Sequence, residues 1–215
     1  MEDERTENNG ACVIGRIMSG FSYSHEVSGE RFYRADILVC RASGIMDAVP
    51  LMFPEGLVDV GRDWPDSMVE AIGRFQSYNK RTDGKSHLEL SVSVQGIRFL
   101  DGECTDYGSN NRVCLKGSLC KPPTYRRTPL GREICDILLA VNRPCGKSDY
   151  IPCIAWGRDA MLASRLDVGC AVRIMGRIQS REYTKRISET EAEARMAYEV
   201  SISTLDLEDW HSPIG

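Results

Sequence analysis

The sequence predicts an all-β chain in which one small Greek-key barrel occurs twice in tandem. Three observations predict it: an internal repeat, short apolar islands at even spacing, and little helical periodicity. Segments about 100 residues apart carry one pattern in one order. Val13 to Ile17 (V-I-G-R-I) parallels Val113 to Leu119 (V-C-L-K-G-S-L), and Arg34 to Val39 parallels Ile134 to Val141, both holding the triplet Asp-Ile-Leu. Asp47 to Leu51 (D-A-V-P-L) answers Asp149 to Cys153 (D-Y-I-P-C), and Ile72 to Ser77 (I-G-R-F-Q-S) answers Met175 to Ser180 (M-G-R-I-Q-S). Two copies follow, residues 10–103 and 111–207, joined by the polar segment around Thr105 to Asn110.

Each island is a strand because it is short, rich in Val, Ile and Leu, and bounded by Gly, Pro and Ser turns. Helical signal is brief, strongest at Arg158 to Leu166 and weaker at Trp64 to Val69 in the first copy. Five strands with a short helix before the fourth, in about 95 residues, is the layout of an OB-fold barrel.

Composition excludes several classes of function. The 215 residues are 42% hydrophobic and 27% charged with a net charge of −4, an ordinary globular balance able to bury a core. Apolar runs such as Ile137 to Val141 fall far short of the roughly 20 residues of a membrane span. The N-terminus, MEDERTENNG, lacks the basic and apolar regions of a signal peptide, so the expected location is the cytoplasm. None of the nine cysteines forms a C-x-x-C pair, and most interrupt apolar runs (Cys40, Cys114, Cys135, Cys153, Cys170), as reduced buried thiols do. Zinc would need ligands from distant strands, with only His25, His87 and His211 to help. Residues 88–210 contain no histidine, which removes Ser-His and Cys-His nucleophile pairs there. No glycine-rich phosphate loop is present. No catalytic residue, metal or cofactor is expected.

Strand alternation places the candidate site, since residues two apart share a face. In S-D-Y-I-P-C-I-A-W, Ile151, Cys153 and Ala155 suit a barrel interior, while Tyr150, Pro152, Ile154 and Trp156 face out. In G-R-I-Q-S-R-E-Y-T-K, Arg177, Gln179, Arg181, Tyr183 and Lys185 share one face and Ile178 points the other way. Charge supports the same reading: residues 110–186 carry 15 Lys+Arg against 6 Asp+Glu, a balance of +9, whereas residues 1–109 stand at −7 and 187–215 at −6. Cations interleaved with outward aromatics are what single-stranded nucleic acid requires, because phosphates attract cations and every unpaired base offers a π-face.

Residues 111–207 resemble a bacterial single-stranded DNA-binding protein of the replication type. The resemblance rests on N-R-V-C-L-K-G-S-L, the R-x-T-P-x-G stretch Arg126 to Gly131, D-I-L-L-A-V-N-R, D-Y-I-P-C-I-A-W-G and G-R-I-Q-S-R-E-Y-T-K. It implies an OB barrel over which a single strand wraps, in replication, recombination or repair. Tyr150 falls where that family places its central stacking Trp, Trp156 where it places a stacking Phe, and Tyr183 where it places a hairpin Trp. Arg177 and Arg181 fall on basic or polar positions of that face. The loop Asn142 to Lys147 lacks the family's third tryptophan and offers Arg143 and Lys147 instead. In the first copy Ala48, Pro54 and Lys80 stand at the three stacking positions, so that barrel is expected to be degenerate and kept for assembly, the alternative being a weak second DNA site on its partly basic stripe Arg74, Gln76, Tyr78 and Lys80.

The family usually works with four barrels, so a homodimer is expected, with Ala48, Met52 and Pro54 as packing residues. The expected partner is single-stranded DNA, held near the nucleoid, with replication or repair proteins as further candidates and no membrane. The alternative reading is a protein-interaction OB module of a replication or primosome complex. The chain ends L-E-D-W-H-S-P-I-G, without the family's long acidic tail, and Trp210 is expected to dock on the barrel rather than recruit partners.

Overall fold

The alternation of V-I-G-R-I is realised in β1 (Asn9–Ile17), whose odd positions from Asn9 to Ile17 are buried while the residues between them are only half-buried. The computed structural model describes residues 8–61, 64, 66–82, 85–102, 106–186 and 192–208, with the backbone alone at 80–82, 85–87 and 185–186. β2 (Ser22–Val27), β3 (Glu30–Cys40), β4 (Met46–Pro54), β5 (Met68–Thr82) and β6 (Lys85–Leu100) complete the first half. The second half repeats it with β7 (Asn111–Leu119), β8 (Thr124–Arg127), β9 (Glu133–Asn142), β10 (Ser148–Trp156), α1 (Gly157–Ala163), β11 (Ala171–Arg186) and β12 (Ala192–Leu207).

Each half closes into an OB barrel of five strands, with β2 or β8 as a sixth, short strand on the edge of β3 or β9. In the first, β1 pairs antiparallel with β5 and, at its end, with β3; β4 pairs with β3 antiparallel and with β6 in parallel; β5 and β6 form a hairpin. The same ring runs through β7, β9, β10, β12 and β11. Closure bends β1 and β7 across a corner where the chain comes hard against β3 or β9. A Cβ at Gly15 would strike the Leu38 carbonyl, and one at Gly117 the Ala140 carbonyl, so only glycine fits.

Val13, Ile37, Leu51, Phe53, Phe75 and Val92 fill the first barrel, and Leu115, Leu139, Ile151, Ile174 and Ile178 the second. Of the cysteines expected inside, Cys135 and Cys153 are buried, and Cys40, Cys114 and Cys170 are half-buried; the eight cysteines among the described residues are free thiols. Burial pushes the Cys153 thiol far above its ordinary pKa, so it behaves as a small hydrophobe.

The helices depart from expectation. α1 stops at Ala163, three residues early, although Leu166 still packs on the core. In the first half no helix occurs among the described residues between β4 and β5, and Met68 and Val69 already belong to β5. The left-handed Asp66, at φ 65°, breaks a helix at that point.

The two barrels form one 12-stranded sheet through antiparallel pairing of β1 with β7, five residue pairs centred on Ala11 and Val113. Asn9 faces Leu115 and Val13 faces Asn111, so the junction is pseudo-two-fold. Asn9 grips the Phe75 amide and carbonyl at 2.8 and 2.7 Å, and Asn111 grips those of Ile178 at 2.9 and 2.7 Å.

Two buried aspartates then cross-link the barrels. Asp149, at 0% exposure, accepts the Ser77 amide at 2.7 Å and the Arg143 guanidinium, whose Nη2 also donates to the Ser77 carbonyl at 2.7 Å. Asp47, also at 0%, accepts both Arg41 donors at 2.6 Å and the Ser180 amide at 2.9 Å. The serine hydroxyls return the contact, Ser77 Oγ accepting the Tyr150 amide at 2.8 Å and Ser180 Oγ the Ala48 amide at 2.9 Å. A buried carboxylate is tolerated only when paired and hydrogen-bonded, so each clamp is destabilising unless complete. Asp149→Ala strands Arg143 and the Ser77 amide, and is expected to cost about 3–5 kcal/mol in urea unfolding followed by circular dichroism.

Candidate nucleic-acid interface

β10 carries the first part of the candidate site. Ile151, Cys153 and Ala155 are buried in the barrel, and Tyr150 on the other side is 46% exposed. Trp156 ends the strand half-buried, its Nε1–H donated to the Ser201 hydroxyl of β12 at 3.1 Å. That bond fixes the indole beside the neighbouring strand. Ile154, expected to face outward, is buried. The outer faces of the third strands are crowded because β5 of the first barrel contacts β10 and β11 of the second contacts β4.

β11 carries the second part and divides it. Ile178 points inward, and Arg177 and Gln179 share a side, the guanidinium reaching the amide oxygen at 3.4 Å. Gln179 is only 9% exposed and spends its amide on Glu199 at 2.6 Å, which makes it a strut of the hairpin. Arg177 is half-buried, its Nε without a partner among the described residues, and burial followed by the like charge of Arg41 pulls its pKa down. Arg181 and Tyr183 are exposed, Tyr183 at 37%, and Arg181 has no ion pair among the described residues. Lys185 belongs to β11 by its backbone, and its side chain lies outside the described residues.

The barrel cross-links decide where these groups stand. Ser180, three residues before Tyr183, is bonded to Asp47 and Ala48 of the first barrel, while Tyr150 is bonded through its amide to Ser77 of that barrel's hairpin. Tyr150 and Trp156 therefore sit on the body of the second barrel, and Arg181 and Tyr183 on a hairpin that runs past β4 of the first. In the loop between β9 and β10, Lys147 is exposed, whereas Arg143 is held in the Asp149 clamp. Periodicity had no means of separating these two cations.

Sequence reasoning did not count Tyr125, Arg126 and Arg127 of β8 among the candidate site residues. Tyr125 is 40% exposed, and the arginines are paired with Asp136 and Glu133. The run T-Y-R-R was the available signal.

The matching face of the first barrel has another chemistry. Tyr78 donates its hydroxyl to Glu89 at 2.6 Å, Arg34 is paired with Asp36 and Glu89, and Arg74 donates to Asn8 Oδ1 at 2.8 Å. Burial and Glu89 push the Tyr78 phenol above its ordinary range. Of the stripe expected there, Arg74 is bound to a neutral amide and Tyr78 to a carboxylate, and the Lys80 side chain lies outside the described residues. Met52, expected as an outward packing residue, is buried within the chain, and the Ala48 amide is bound to Ser180. Trp210 and the residues after it also lie outside the described residues. Among the described residues no three His, Cys, Asp or Glu side chains stand together as a metal site, and no helix is long and apolar enough to cross a membrane.

Residues 110–207 match the single-strand binding protein family. Single-stranded DNA-binding protein 3 of Listeria innocua is 38% identical over 92 residues, covering 38% of this chain and 58% of its own length. Single-stranded DNA-binding protein A of Bacillus subtilis is 37% identical over 95 residues, covering 39% of this chain and 55% of its own. The chain thus spans little more than half the length of these relatives. The wild-type single-stranded DNA binding protein of Thermus aquaticus superposes over 96% of this chain and 95% of its own with a TM-score of 0.74 at 20% identity, a likeness of fold that takes in both barrels. Replacing Ser201 by Ala removes the Trp156 anchor, and the expected loss is about 1 kcal/mol in urea unfolding, with a more mobile indole by fluorescence anisotropy.

Proposed function

We propose, from the premise that this chain belongs through its second barrel, residues 110–207, to the single-strand binding protein family, that it binds single-stranded DNA and catalyses no reaction. The observation that carries the reading is a basic segment with Tyr150, Trp156 and Tyr183 outside the core, on an OB barrel. Stacking on those rings is tolerant of sequence, and Arg177, Arg181 and Lys147, with Lys185, supply charge for the backbone. Gln179 supports the hairpin and Arg143 the Tyr150 strand, so both act through position. The location that suits this role is the cytoplasm, at the nucleoid, in replication, recombination or repair. The interaction-module alternative has no support among the relatives named above, which carry DNA-binding names.

The test is fluorescence titration with oligo-dT at two salt concentrations. Changing Tyr150, Trp156 or Tyr183 to Ala is expected to weaken binding by about 1–3 kcal/mol each with little base preference. Arg181→Ala is expected to lower the salt slope by about one. A triple aromatic variant that binds like the original protein would remove the site assignment.

The working assembly in this reading is a homodimer of four barrels. Support comes from the outer side of the junction, where Ile72, Cys12, Cys114 and Met175 lie on one face of β5, β1, β7 and β11. Ile72 is 51% and Met175 48% exposed, and the pseudo-two-fold makes the strip self-complementary. Met175→Asp with Ile72→Asp is expected to convert a dimer into a monomer in sedimentation equilibrium at micromolar concentration. A monomeric unmodified protein there would overturn the assembly.

A further inference from the structure

A cavity of about 480 Å³ lies where the linker between the halves meets both barrels. Arg41 lines it from the first barrel, Arg112, Arg177, Ser201 and Ser203 from the second, and Tyr107 from the linker; no Asp or Glu lines it among the described residues. Its size suits a nucleotide.

The cavity is short of negative charge. Arg41 has its carboxylate in Asp47, which is fully buried. Arg177 has no such partner. Among the described residues its one hydrogen bond is the 3.4 Å contact with Gln179, and its Nε, like that of Arg74 in the first barrel, has none. The counterpart in the first barrel, Arg74, gives Nη2 to Asn8 Oδ1 at 2.8 Å while Asn8 donates its Nδ2 to the Asn142 carbonyl. Asn110, which holds the Asn8 position in the second copy, makes the matching donation to the Cys40 carbonyl at 2.7 Å, but Arg177 makes no hydrogen bond to it among the described residues. The arginine–asparagine contact of the first barrel is thus missing in the second, which leaves a cation beside the cavity. Burial and the neighbouring Arg41 both work against the charge on Arg177, and Asp47 favours it by less. An anion between two guanidinium groups reverses that penalty and satisfies donors otherwise idle. Ser201 links the cavity to the candidate site, because its hydroxyl accepts the Trp156 Nε1–H while its residue lines the wall.

We propose that this cavity binds the phosphate group of a nucleotide, free or as part of a strand stacked beside Trp156. The strand form rests on the single-stranded DNA reading, whereas the free form does not. Tyr107, 45% exposed on the linker, offers a ring for the base or sugar.

Thermal unfolding of the full chain with dTMP tests it, with thymidine as the control that lacks phosphate. At about five times its Kd, dTMP is expected to raise the melting temperature by about 2–4 °C. Thymidine at the same concentration is expected to leave it unchanged. Ser43 lines the cavity from the exposed turn Arg41–Ile45, and Ser43→Glu, which sets a carboxylate there, is expected to weaken dTMP about tenfold or more. Arg177→Gln is expected to do the same, and serves if the turn variant unfolds. Competition by oligo-dT for dTMP would assign the cavity to the strand; undisturbed dTMP binding would assign it to free nucleotide. An equal shift by thymidine, no shift by dTMP at millimolar concentration, or unchanged dTMP affinity in both variants would overturn the proposal. Oligo-dT binding that persists in any of those cases leaves the single-strand reading intact, and a chain that binds dTMP but no oligo-dT loses that reading alone.

Discussion

Antiparallel pairing of β1 with β7, sealed by the buried carboxylates of Asp47 and Asp149, is the constraint on which the rest of the molecule depends. A backbone ladder of five pairs sets the direction in which the barrels meet, and the aspartates set how the hairpins cross. Each carboxylate has an arginine from its own barrel and a serine amide from the other. Neither barrel can satisfy its aspartate alone, so burial of that charge is conditional on docking. The pairing thereby converts two small barrels, each with a limited core, into one body.

The same clamps deliver the candidate site. Tyr150 follows Asp149 directly, and its amide is held by Ser77 of the other barrel. Tyr183 follows Ser180 by three residues, beyond the contact with Asp47. The exposed tyrosines thus hang from elements made rigid by inter-barrel hydrogen bonds, which keeps aromatic platforms in place at little entropic cost on binding. On the opposite side of the junction strands, Ile72 and Met175 are left about half exposed by the described residues.

The two halves divide their chemistry while keeping one topology. The second half combines excess positive charge with outward rings. The first uses part of its corresponding surface for internal pairing, in the Arg34, Asp36, Glu89 and Tyr78 group. Closure of an OB barrel depends on inward side chains and on glycines such as Gly15 and Gly117, and outward positions are free to diverge.

The sequence by itself determined the repeat, the all-β class, the inward set of β10 and the basic character of the second half. These are local properties, since a period of two and a run of charges are written along the chain and survive whatever packs around them. Only the tertiary structure decided which outward residues stay outward. Arg143 and Lys147 read alike in the sequence, yet one is bound to a buried aspartate and the other faces solvent. Gln179, Ile154 and Met52 carry the alternation of exposed residues and are nonetheless covered. The expected helix near Trp64 gave way because a left-handed Asp66 interrupts it and β5 begins at once. For the side chains a deciding partner comes from another strand or the other barrel, as Glu199 does for Gln179 and Ser77 for Arg143, and alternation along one strand holds no information about what crosses it.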